Sequence, residues 1–253
     1  MSARANLRPV QERDTDMEVS TCPDEVTIHY LNSAGTSGAA GSPQETVPCA
    51  RPIYFGLKRL SDIAISGLAL VLLSPVLLLA AVAVKIETPK GKVFFHQPRI
   101  GWKDREFMCH KLTSMVPDAE ERLARLSEEE KKEFAETFKL RHDPRVTRVG
   151  RFLRKTSIDE LPQLWNVLVG EMSLVGPRPP LLVERDAYGS HLAKVMSVRP
   201  GITGYWQVHG RSDTDFGARI RMAEYYVDHC GFKLDFQILL GTVKAVLSGR
   251  GAI

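Results

Sequence analysis

Two adjacent carboxylates, Asp159 and Glu160, lie directly after the basic stretch 151–155, which holds two arginines and a lysine. The spacing from Ser157 to Glu160 fits a capping box, while Pro162 favours a later helix start with Asp159 as the N-cap. Either arrangement puts both carboxylates at a helix N-terminus, where unpaired backbone N–H groups also attract phosphate. The pair is therefore a candidate for phosphate chemistry, and helix capping would not prevent that role.

Two arginine-containing segments follow further along the chain. Arg178 lies between Pro177 and Pro179, which restrict its backbone and hold its planar guanidinium in a direction suited to bidentate phosphate binding. A rigid turn with an incidental arginine is the alternative interpretation. Arg199 and Arg211 flank a segment with two close glycines, where backbone and cations could approach an anionic ligand.

The familiar short motifs of other enzyme classes are missing. The chain has no Walker A loop, GxGxxG, HExxH or GxSxG. Asp213 and Asp215 have the DxD spacing of some metal-dependent glycosyltransferases, but a helix-capping turn explains them more simply. The four cysteines are scattered without zinc-ligand spacing, which favours reduced thiols in the cytosol.

The elements that would position these residues begin with an apolar run over residues 63–84. These 22 uncharged residues make about 33 Å of helix, enough to cross a hydrocarbon core of about 30 Å. Ser74 and Pro75 interrupt the run near its middle, and basic residues flank both of its ends. Since positive charge marks the cytoplasmic side, we expect a re-entrant hairpin broken at Ser74-Pro75, with a kinked span as the alternative.

The remaining chain divides by composition. Residues 1–50 carry three arginines and seven acids and are rich in Ser, Gly and Pro, so we expect a disordered acidic tail without a secretory signal peptide. Residues 51–91 hold the membrane helix and its flanks. Residues 92–253 are expected to form the catalytic domain. The positive excess after residue 50 suits anionic partners: phospholipid, phosphates or nucleic acid.

Patterning predicts an α/β fold, more narrowly a helix-dominated α+β domain. A strand pair is expected at 93–95 and 107–109, around a turn at 101–104. Helices are expected near 117–140, 160–169, 180–196, 215–229 and 233–247. The apolar residues of the last one predict an amphipathic helix, either at the membrane interface or in the core.

Several long motifs in fixed order resemble the monotopic phosphoglycosyl transferases, the bacterial sugar transferases that start exopolysaccharide, O-antigen and glycan assembly. They are KRLSD, the apolar segment with Ser-Pro, DPRVTRVGRFLRKTSIDELPQL, GEMSLVGPRP, RPGITGYWQVHGR and LDFQILLGT. The resemblance covers roughly residues 57–247, and the length is similar to the short members of the family. It implies a re-entrant helix broken at Ser74-Pro75, in a monotopic protein at the cytoplasmic face of the bacterial inner membrane.

The resemblance also implies a two-step reaction. Asp159 would attack the β-phosphorus of a UDP-sugar, UDP-galactose or UDP-glucose, and release UMP; undecaprenyl phosphate would then take the hexose phosphate. Mg²⁺ is implied near Asp159 and Glu160, and Glu160, the second catalytic candidate, could bind the metal, take a proton or only order the helix. Phosphate binding is implied for Arg178, with Pro177 and Pro179, and for Arg154, Arg199 and Arg211. Inner-membrane lipids and other polysaccharide-assembly enzymes are the implied partners, and nucleic acid is not.

Two departures and two alternatives accompany this interpretation. Many relatives have an arginine where this chain has Thr113, and an acid where it has Ala223, so roles at those positions are in doubt. A membrane-anchored phosphatase or nucleotidase could also use Asp159, although the DxDxT-type loop is absent. A non-catalytic scaffold could use the basic surface to hold anionic lipids.

Overall fold

The computed structural model describes residues 17–19, 28–30, 51–125, 143–210 and 214–248. Arg211, Asp213 and most of the helix expected over 117–140 lie outside this part of the chain. Within the first 50 residues, strands β1 (Met17–Val19) and β2 (Ile28–Tyr30) pair antiparallel. The sequence predicted no strand there, and the disorder of the tail as a whole stays a prediction.

Helices dominate the described residues, and the sheets are small. In chain order the helices are α1 (Pro52–Glu87), α2 (Ala119–Ala124), α3 (Arg148–Thr156), α4 (Gln163–Val169), α5 (Arg185–Tyr188), α6 (His191–Val195), α7 (Tyr205–His209), α8 (Phe216–His229) and α9 (Phe232–Ser248). Short 3₁₀ turns cover Trp102–Asp104, Ile158–Glu160 and Leu182–Glu184. The predicted helix-dominated α/β class is confirmed, although the stretch 180–196 forms short pieces, and α3 and α7 were not predicted.

Two strand pairs build the framework of the domain. Strands β3 (Phe94–Ile100) and β4 (Glu106–Leu112) pair antiparallel, so the predicted hairpin is confirmed and is longer than expected. Strands β5 (Ser173–Val175) and β6 (Gly201–Thr203) pair parallel, which no sequence pattern indicated. Gly176 directly follows β5 and lies against the segment that leads into β6. A Cβ at this position would overlap the carbonyl oxygen of Arg199. Glycine is therefore required where the segment after β5 crosses the neighbouring strand.

Helix α1 contains the whole predicted apolar run in 36 residues, about 54 Å if straight. It is long and apolar enough to cross a membrane, and only 11% of its most apolar window is buried, unlike a core helix. The helix assignment continues through Pro75, and Ser74 Oγ donates to the carbonyl of Val71 (2.8 Å). The structure therefore shows no interruption at Ser74-Pro75, and the hairpin is not confirmed.

The first half of α1 is attached to the domain by the charged residues of the KRLSD segment. Lys58 Nζ lies 2.6 Å from Asp235 on α9, and Arg59 donates to the carbonyls of Val167 (2.5 Å) and Leu168 (2.8 Å) at the end of α4. The buried carboxylate of Asp62 accepts a hydrogen bond from the backbone N–H of Leu174 (3.1 Å). This motif therefore docks the helix on the domain.

The second half of α1 contacts the same domain. Ala80 and Val84 pack in one apolar cluster with Leu112 of β4 and Leu153 of α3. At the helix end, Glu87 accepts hydrogen bonds from the first backbone N–H groups of α3, those of residues 148 (2.8 Å) and 149 (2.9 Å). Both ends of α1 are thus fixed to one body, with an exposed apolar face between them.

A buried polar network at Asp235 joins α1, α8 and α9. The carboxylate accepts from the hydroxyls of Tyr54 and Tyr226 (2.8 Å each) and pairs with Lys58. We predict that Asp235→Ala lowers the free energy of unfolding by about 3 kcal/mol, because it leaves the largely buried ammonium of Lys58 without its carboxylate partner. Denaturant unfolding in detergent measures this change. A loss under 1 kcal/mol, or an equal loss in Asp186→Asn at an exposed carboxylate, would contradict the assignment.

Candidate active site

The two carboxylates lie in a 3₁₀ turn between α3 and α4. Helix α3 ends at Ser157, whose left-handed backbone (φ 56°) lets its N–H donate back to the Arg154 carbonyl. The turn Ile158–Glu160 follows, and α4 begins after Pro162. Ser157 makes no side-chain capping bond, and the N-cap of α4 is Pro162 and not Asp159. Both capping interpretations, with Ser157 or with Asp159 as the N-cap, were therefore wrong. The Asp159 carboxylate is accordingly not used to cap α4.

Burial and neighbouring charges act on Asp159 in opposite directions. Its side chain is largely buried, with 8% of the residue exposed. Burial raises the pKa of this carboxyl, and the adjacent Glu160 raises it further, whereas Lys111 and Arg154 lower it. The net pKa is above the ordinary value. Such a shift at a site enclosed by cations is typical of residues that take part in chemistry.

Strand β4 and helix α3 supply the cations around this turn. Lys111 Nζ lies 2.6 Å from Glu160 Oε1, and Arg154 Nε donates to Ser114 Oγ (2.8 Å). Helix α3 approaches the Ser114 segment so closely that a Cβ at Gly150 would overlap the Ser114 carbonyl. Burial lowers the pKa of Arg154, and the attraction of Asp159 opposes that effect. The predicted residue Arg154 therefore lies beside Asp159, and Lys111 is a site residue that the sequence did not single out.

The Pro177-Arg178-Pro179 turn is fixed by backbone contacts on both sides. The Pro177 carbonyl accepts from the N–H of Gly201 (2.8 Å), and the Pro179 carbonyl accepts from Arg99 Nη1 (2.9 Å). Arg178 itself has one weak ion pair, 3.4 Å from Glu184 Oε1. The prediction of a rigid turn that holds an arginine agrees with these contacts, and the guanidinium retains donors for an anion.

The charges of the two turns converge on one region of the domain. Burial lowers the pKa of Arg99 to about 10, with the positive charge of Arg178 as the next cause. Burial raises the pKa of the Cys109 thiol, and the charges of Lys111, Arg99 and Arg178 each oppose that rise. Lys111, which pairs with Glu160, and Arg178 of the other turn thus act on the same thiol. The two turns, predicted from separate segments, therefore lie near one region of β4.

Arg199 is placed elsewhere. Its Nε donates to the Gly170 carbonyl (2.9 Å), and its guanidinium stacks 4.4 Å from the centroid of Trp102. Arg59 binds the neighbouring carbonyls, so two cations stabilise the C-terminal end of α4. Asp159 precedes the opposite end of that helix. The structure thus places Arg199 at the end of α4 that is remote from the Asp159 turn, and its role in phosphate binding stays a prediction.

The structure describes only some of the other residues that the sequence singled out. Arg211 and Asp213 lie outside the described residues. Asp215 is the N-cap of α8 and accepts from the N–H of Ala218 (2.6 Å), which supports the capping interpretation of the DxD spacing. Ala223 is buried on α8. Thr113 donates its backbone N–H to the Val93 carbonyl (2.8 Å).

The carboxylate pair supplies oxygen atoms of the kind that Mg²⁺ binds. Among the described residues, no three His, Cys, Asp or Glu side chains cluster as a complete metal cage. Mg²⁺ commonly binds one or two carboxylates together with substrate phosphates and water, so a full protein cage is not required. The mutual repulsion of Asp159 and Glu160, seen in the raised pKa of Asp159, is what a cation would relieve. The two residues therefore fit Mg²⁺.

The fold and the site together define a helix-rich α/β protein with one long apolar helix and a buried carboxylate among cations. A family model described as "Bacterial sugar transferase" matches residues 53–249. Since this match covers well over half of the 253 residues, the chain belongs to the bacterial sugar transferase family. The family predicted from the motifs is confirmed.

Three relatives show the range of the family. The exopolysaccharide production protein ExoY of Rhizobium meliloti is 40% identical over 213 residues, 83% of this chain and 93% of that protein. The undecaprenyl-phosphate galactose phosphotransferase of Salmonella typhimurium is 41% identical over 199 residues, 78% and 41% of the two chains. The UDP-glucose:undecaprenyl-phosphate glucose-1-phosphate transferase of Klebsiella pneumoniae is 39% identical over 245 residues, 92% and 49%. The chain spans less than half of the last two but nearly all of ExoY.

Proposed function

We propose that this protein transfers a hexose-1-phosphate from a UDP-sugar to undecaprenyl phosphate, through a phosphosugar ester on Asp159. The observation that carries the proposal is a buried carboxylate of raised pKa, enclosed by Lys111 and Arg154. A carboxylate can act as a nucleophile toward phosphorus, and cations around it suit the phosphate oxygens of such a substrate.

In the first step, an Asp159 oxygen forms a bond to the β-phosphorus while the bond to the bridging oxygen breaks. UMP leaves with that bonding pair, and the hexose phosphate remains on the carboxylate. Lys111 and Arg154 lie beside the nucleophile, and Arg178 supplies a fork of donors for the non-bridging oxygens. Asp159 and Glu160 would hold Mg²⁺, which when bound neutralises part of the diphosphate charge.

In the second step, a phosphate oxygen of undecaprenyl phosphate attacks the same phosphorus. The acyl-phosphate bond breaks, Asp159 returns as a carboxylate, and a lipid diphosphate sugar is formed. Dividing the transfer into two displacements lets a water-soluble donor and a membrane-bound acceptor use one site in turn. The carboxylate must therefore be reachable from the membrane surface.

A monotopic, re-entrant placement of α1 is proposed for the same reason. Glu87 and the Lys58–Asp62 segment, near the two ends of α1, bind the same domain. A helix that crossed the bilayer completely would put its ends on opposite sides, and one domain could not bind both. Basic flanks on both sides favour the cytoplasmic face of the inner membrane. Ser74 and Pro75 lie in the middle third of the helix, where the chain would turn within the bilayer.

Three helices of the domain present apolar side chains that would rest on the same membrane surface. Helix α3 exposes Phe152, and α4 exposes Trp165 and Val169. Helix α9 exposes Phe236 and Leu240, as expected for an amphipathic helix at the interface. Since α3 leads directly into the Asp159 turn, these contacts would bring the carboxylate within reach of a lipid phosphate. Inner-membrane lipids and other polysaccharide-assembly enzymes are the proposed partners, and nucleic acid is not.

UDP-galactose and UDP-glucose are the proposed donors. The Salmonella relative is named for galactose and the Klebsiella relative for glucose, while an Aeromonas hydrophila relative, 39% identical, is named for N-acetylgalactosamine. We would incubate the full chain in detergent with Mg²⁺, undecaprenyl phosphate and a panel of UDP-sugars, and measure UMP. UMP turnover that requires the lipid and is lost with EDTA supports the proposal, whereas without lipid at most one UMP per protein molecule should form. Folded protein that forms no UMP from any donor refutes it and leaves a membrane scaffold.

The raised pKa of Asp159 predicts a pH dependence. In protein without Mg²⁺ this carboxyl should release its proton above the ordinary aspartate range, which ¹³C NMR of labelled aspartate measures. Glu160→Gln removes the repelling charge and releases Lys111, and both changes lower the pKa of Asp159. We therefore expect the titration of Asp159 to move to lower pH in this variant, with Asp159→Asn to assign its signal. An unchanged or upward-shifted titration would show that Glu160 and Lys111 do not set this pKa.

A further inference from the structure

A cleft lies between the Pro177-Arg178 turn and helices α7 and α8. Its lining includes five aromatic side chains and two arginines, and the residues that matter most are Arg178, Tyr188, Trp206, Gln207, Phe216 and Arg219. Arg178 belongs both to this cleft and to the cations that act on the Cys109 thiol, together with Lys111 of the candidate active site. This arginine therefore connects the cleft with the candidate active site.

The cleft has an excess of positive charge. Arg219 Nε donates to the Thr214 carbonyl (3.0 Å), which leaves the outer nitrogens of its guanidinium for another acceptor. Burial lowers the pKa of Arg219, with the repulsion of Arg178 as the next cause. Glu184 interacts with both arginines and with Arg99, while Asp215 also acts on Arg219 and Glu160 also acts on Arg99. Among the described residues, the lining of the cleft itself holds two arginines and no carboxylate. An anionic ligand with more than one phosphate oxygen would balance this arrangement.

Trp206 gives the cleft an aromatic face beside these cations. The guanidinium carbons of Arg219 and Arg178 lie 4.9 Å and 6.0 Å from its ring centroid. Two buried polar atoms on the same helix, Trp206 Nε1 and Gln207 Oε1, have no hydrogen-bond partner in the described part of the chain. Burying such groups unpaired is costly, so a ligand that supplies a donor and an acceptor would be favoured. A pyrimidine base offers both on one edge, together with a face for stacking.

We propose that this cleft binds the nucleotide end of the donor, with Arg219 on the α-phosphate and Trp206 and Gln207 on the base. The inference rests on the proposed function, since it assigns the part of the UDP-sugar that leaves as UMP. Arg178 then lies between the two phosphates, and the β-phosphorus is directed toward Asp159. Arg219 is a binding residue for the leaving group and was not indicated by any sequence motif.

The position of the cleft favours a nucleotide over the phosphate of the lipid acceptor. Its walls come from α7, α8 and the region of Tyr188 on α5. The exposed apolar residues that would meet the membrane lie on other elements, α1, α3, α4 and α9. A lipid phosphate that approaches along those helices reaches the Asp159 turn from α3, whereas a soluble nucleotide can enter from the α7–α8 side.

The test is direct binding of UMP to the full chain in detergent, measured by calorimetry without turnover. We expect Arg219→Gln to weaken UMP binding and raise the KM for the UDP-sugar, each by about tenfold or more, because a charge-assisted contact is lost. The KM for undecaprenyl phosphate should stay within about twofold. Trp206→Leu should weaken UMP about tenfold but leave the weaker binding of inorganic phosphate unchanged, since the base contact alone is removed.

Arg221→Gln is the matched control, because it removes the same charge from α8 about 200° around the helix. It should leave UMP binding unchanged, and thermal unfolding would confirm that each variant is folded. Unchanged UMP binding in folded Arg219→Gln overturns the inference, as does a raised KM for the lipid alone, which would assign Arg219 to the acceptor. Wild-type protein that binds UMP through Arg219 but transfers no sugar would refute the proposed function and leave the nucleotide cleft intact.

Discussion

Asp159→Asn is expected to lower UMP formation by about 10⁴-fold or more, as removal of a nucleophile typically does. Asparagine keeps the shape of the side chain and lies in the same buried turn, so loss of the anion is the main change. The covalent phosphosugar should disappear as well. Incubation of the wild type with a radiolabelled UDP-sugar in the absence of lipid should label the protein, and the variant should remain unlabelled.

The stability of the variant gives an independent check on this interpretation. Burial and Glu160 raise the pKa of Asp159, so the ionised carboxylate is less favourable in the folded protein than in water. A raised pKa on an acid costs stability at pH values above it, and Asp159→Asn removes that cost. The melting temperature should therefore stay equal or rise while activity is lost. This is the usual result when a buried charge that lowers stability is required for activity.

Two controls separate catalysis from folding. Asp186→Asn removes an exposed carboxylate on α5 and should leave both activity and melting temperature unchanged. Retention of more than about a tenth of wild-type activity in Asp159→Asn would exclude this residue as the nucleophile. Loss of activity together with a fall in melting temperature would assign it a structural role.

The sequence predicted those parts of the fold and site that depend on local chemistry. The apolar run before the domain, the hairpin around Trp102 and the long helix α8 follow from hydrophobic patterning and turn residues. Asp159 and Arg178 could be proposed as site residues from the sequence because each lies in a distinctive local setting. Asp159 belongs to a carboxylate pair after a basic stretch, and Arg178 lies between two prolines. Such signals are carried by neighbours in the chain and need no tertiary information.

The parts of the fold and the site that the sequence did not predict depend on contacts between residues far apart in the chain. Lys111 meets Glu160 across 49 residues, and the parallel pairing of β5 with β6 joins strands on either side of the α5–α6 region. Neither has a periodic sequence pattern. The surroundings of Arg199 could not be predicted for the same reason, since only the fold shows that Gly170 and Trp102 are its partners.

The error at Ser157 has a different cause. Its spacing to Glu160 matched a capping box, yet the residue adopts a left-handed backbone and closes α3 instead of opening α4. The left-handed residue at a helix end is usually glycine or asparagine, so a serine at this position does not indicate from the sequence that the helix ends there. Its consequence is functional, because the sharp turn leaves the Asp159 carboxylate out of the helix caps and beside Lys111 and Arg154.

Arg178→Gln is expected to lower kcat/KM for the UDP-sugar by about 10²- to 10³-fold, the usual effect of removing a fixed donor from a developing charge. The turn itself should survive, because its carbonyls are held by Gly201 and Arg99 and not by the Arg178 side chain. The variant should also bind UMP less tightly, since the same guanidinium lines the nucleotide cleft. Steady-state kinetics with saturating lipid and calorimetry with UMP measure the two effects.

Arg178→Lys tests whether geometry or charge accounts for this effect. Lysine keeps the positive charge but offers a compact ammonium in place of a planar fork, so we expect it to recover only a small part of the loss. The exposed pair Arg185–Asp104 provides the control: Arg185→Gln removes an equal charge and should change kcat/KM less than about twofold. Full activity in Arg178→Lys would mean that general electrostatic attraction suffices at this position. An equal loss in Arg185→Gln would mean that the net charge of the domain, and not the fixed guanidinium between two prolines, governs capture of the donor.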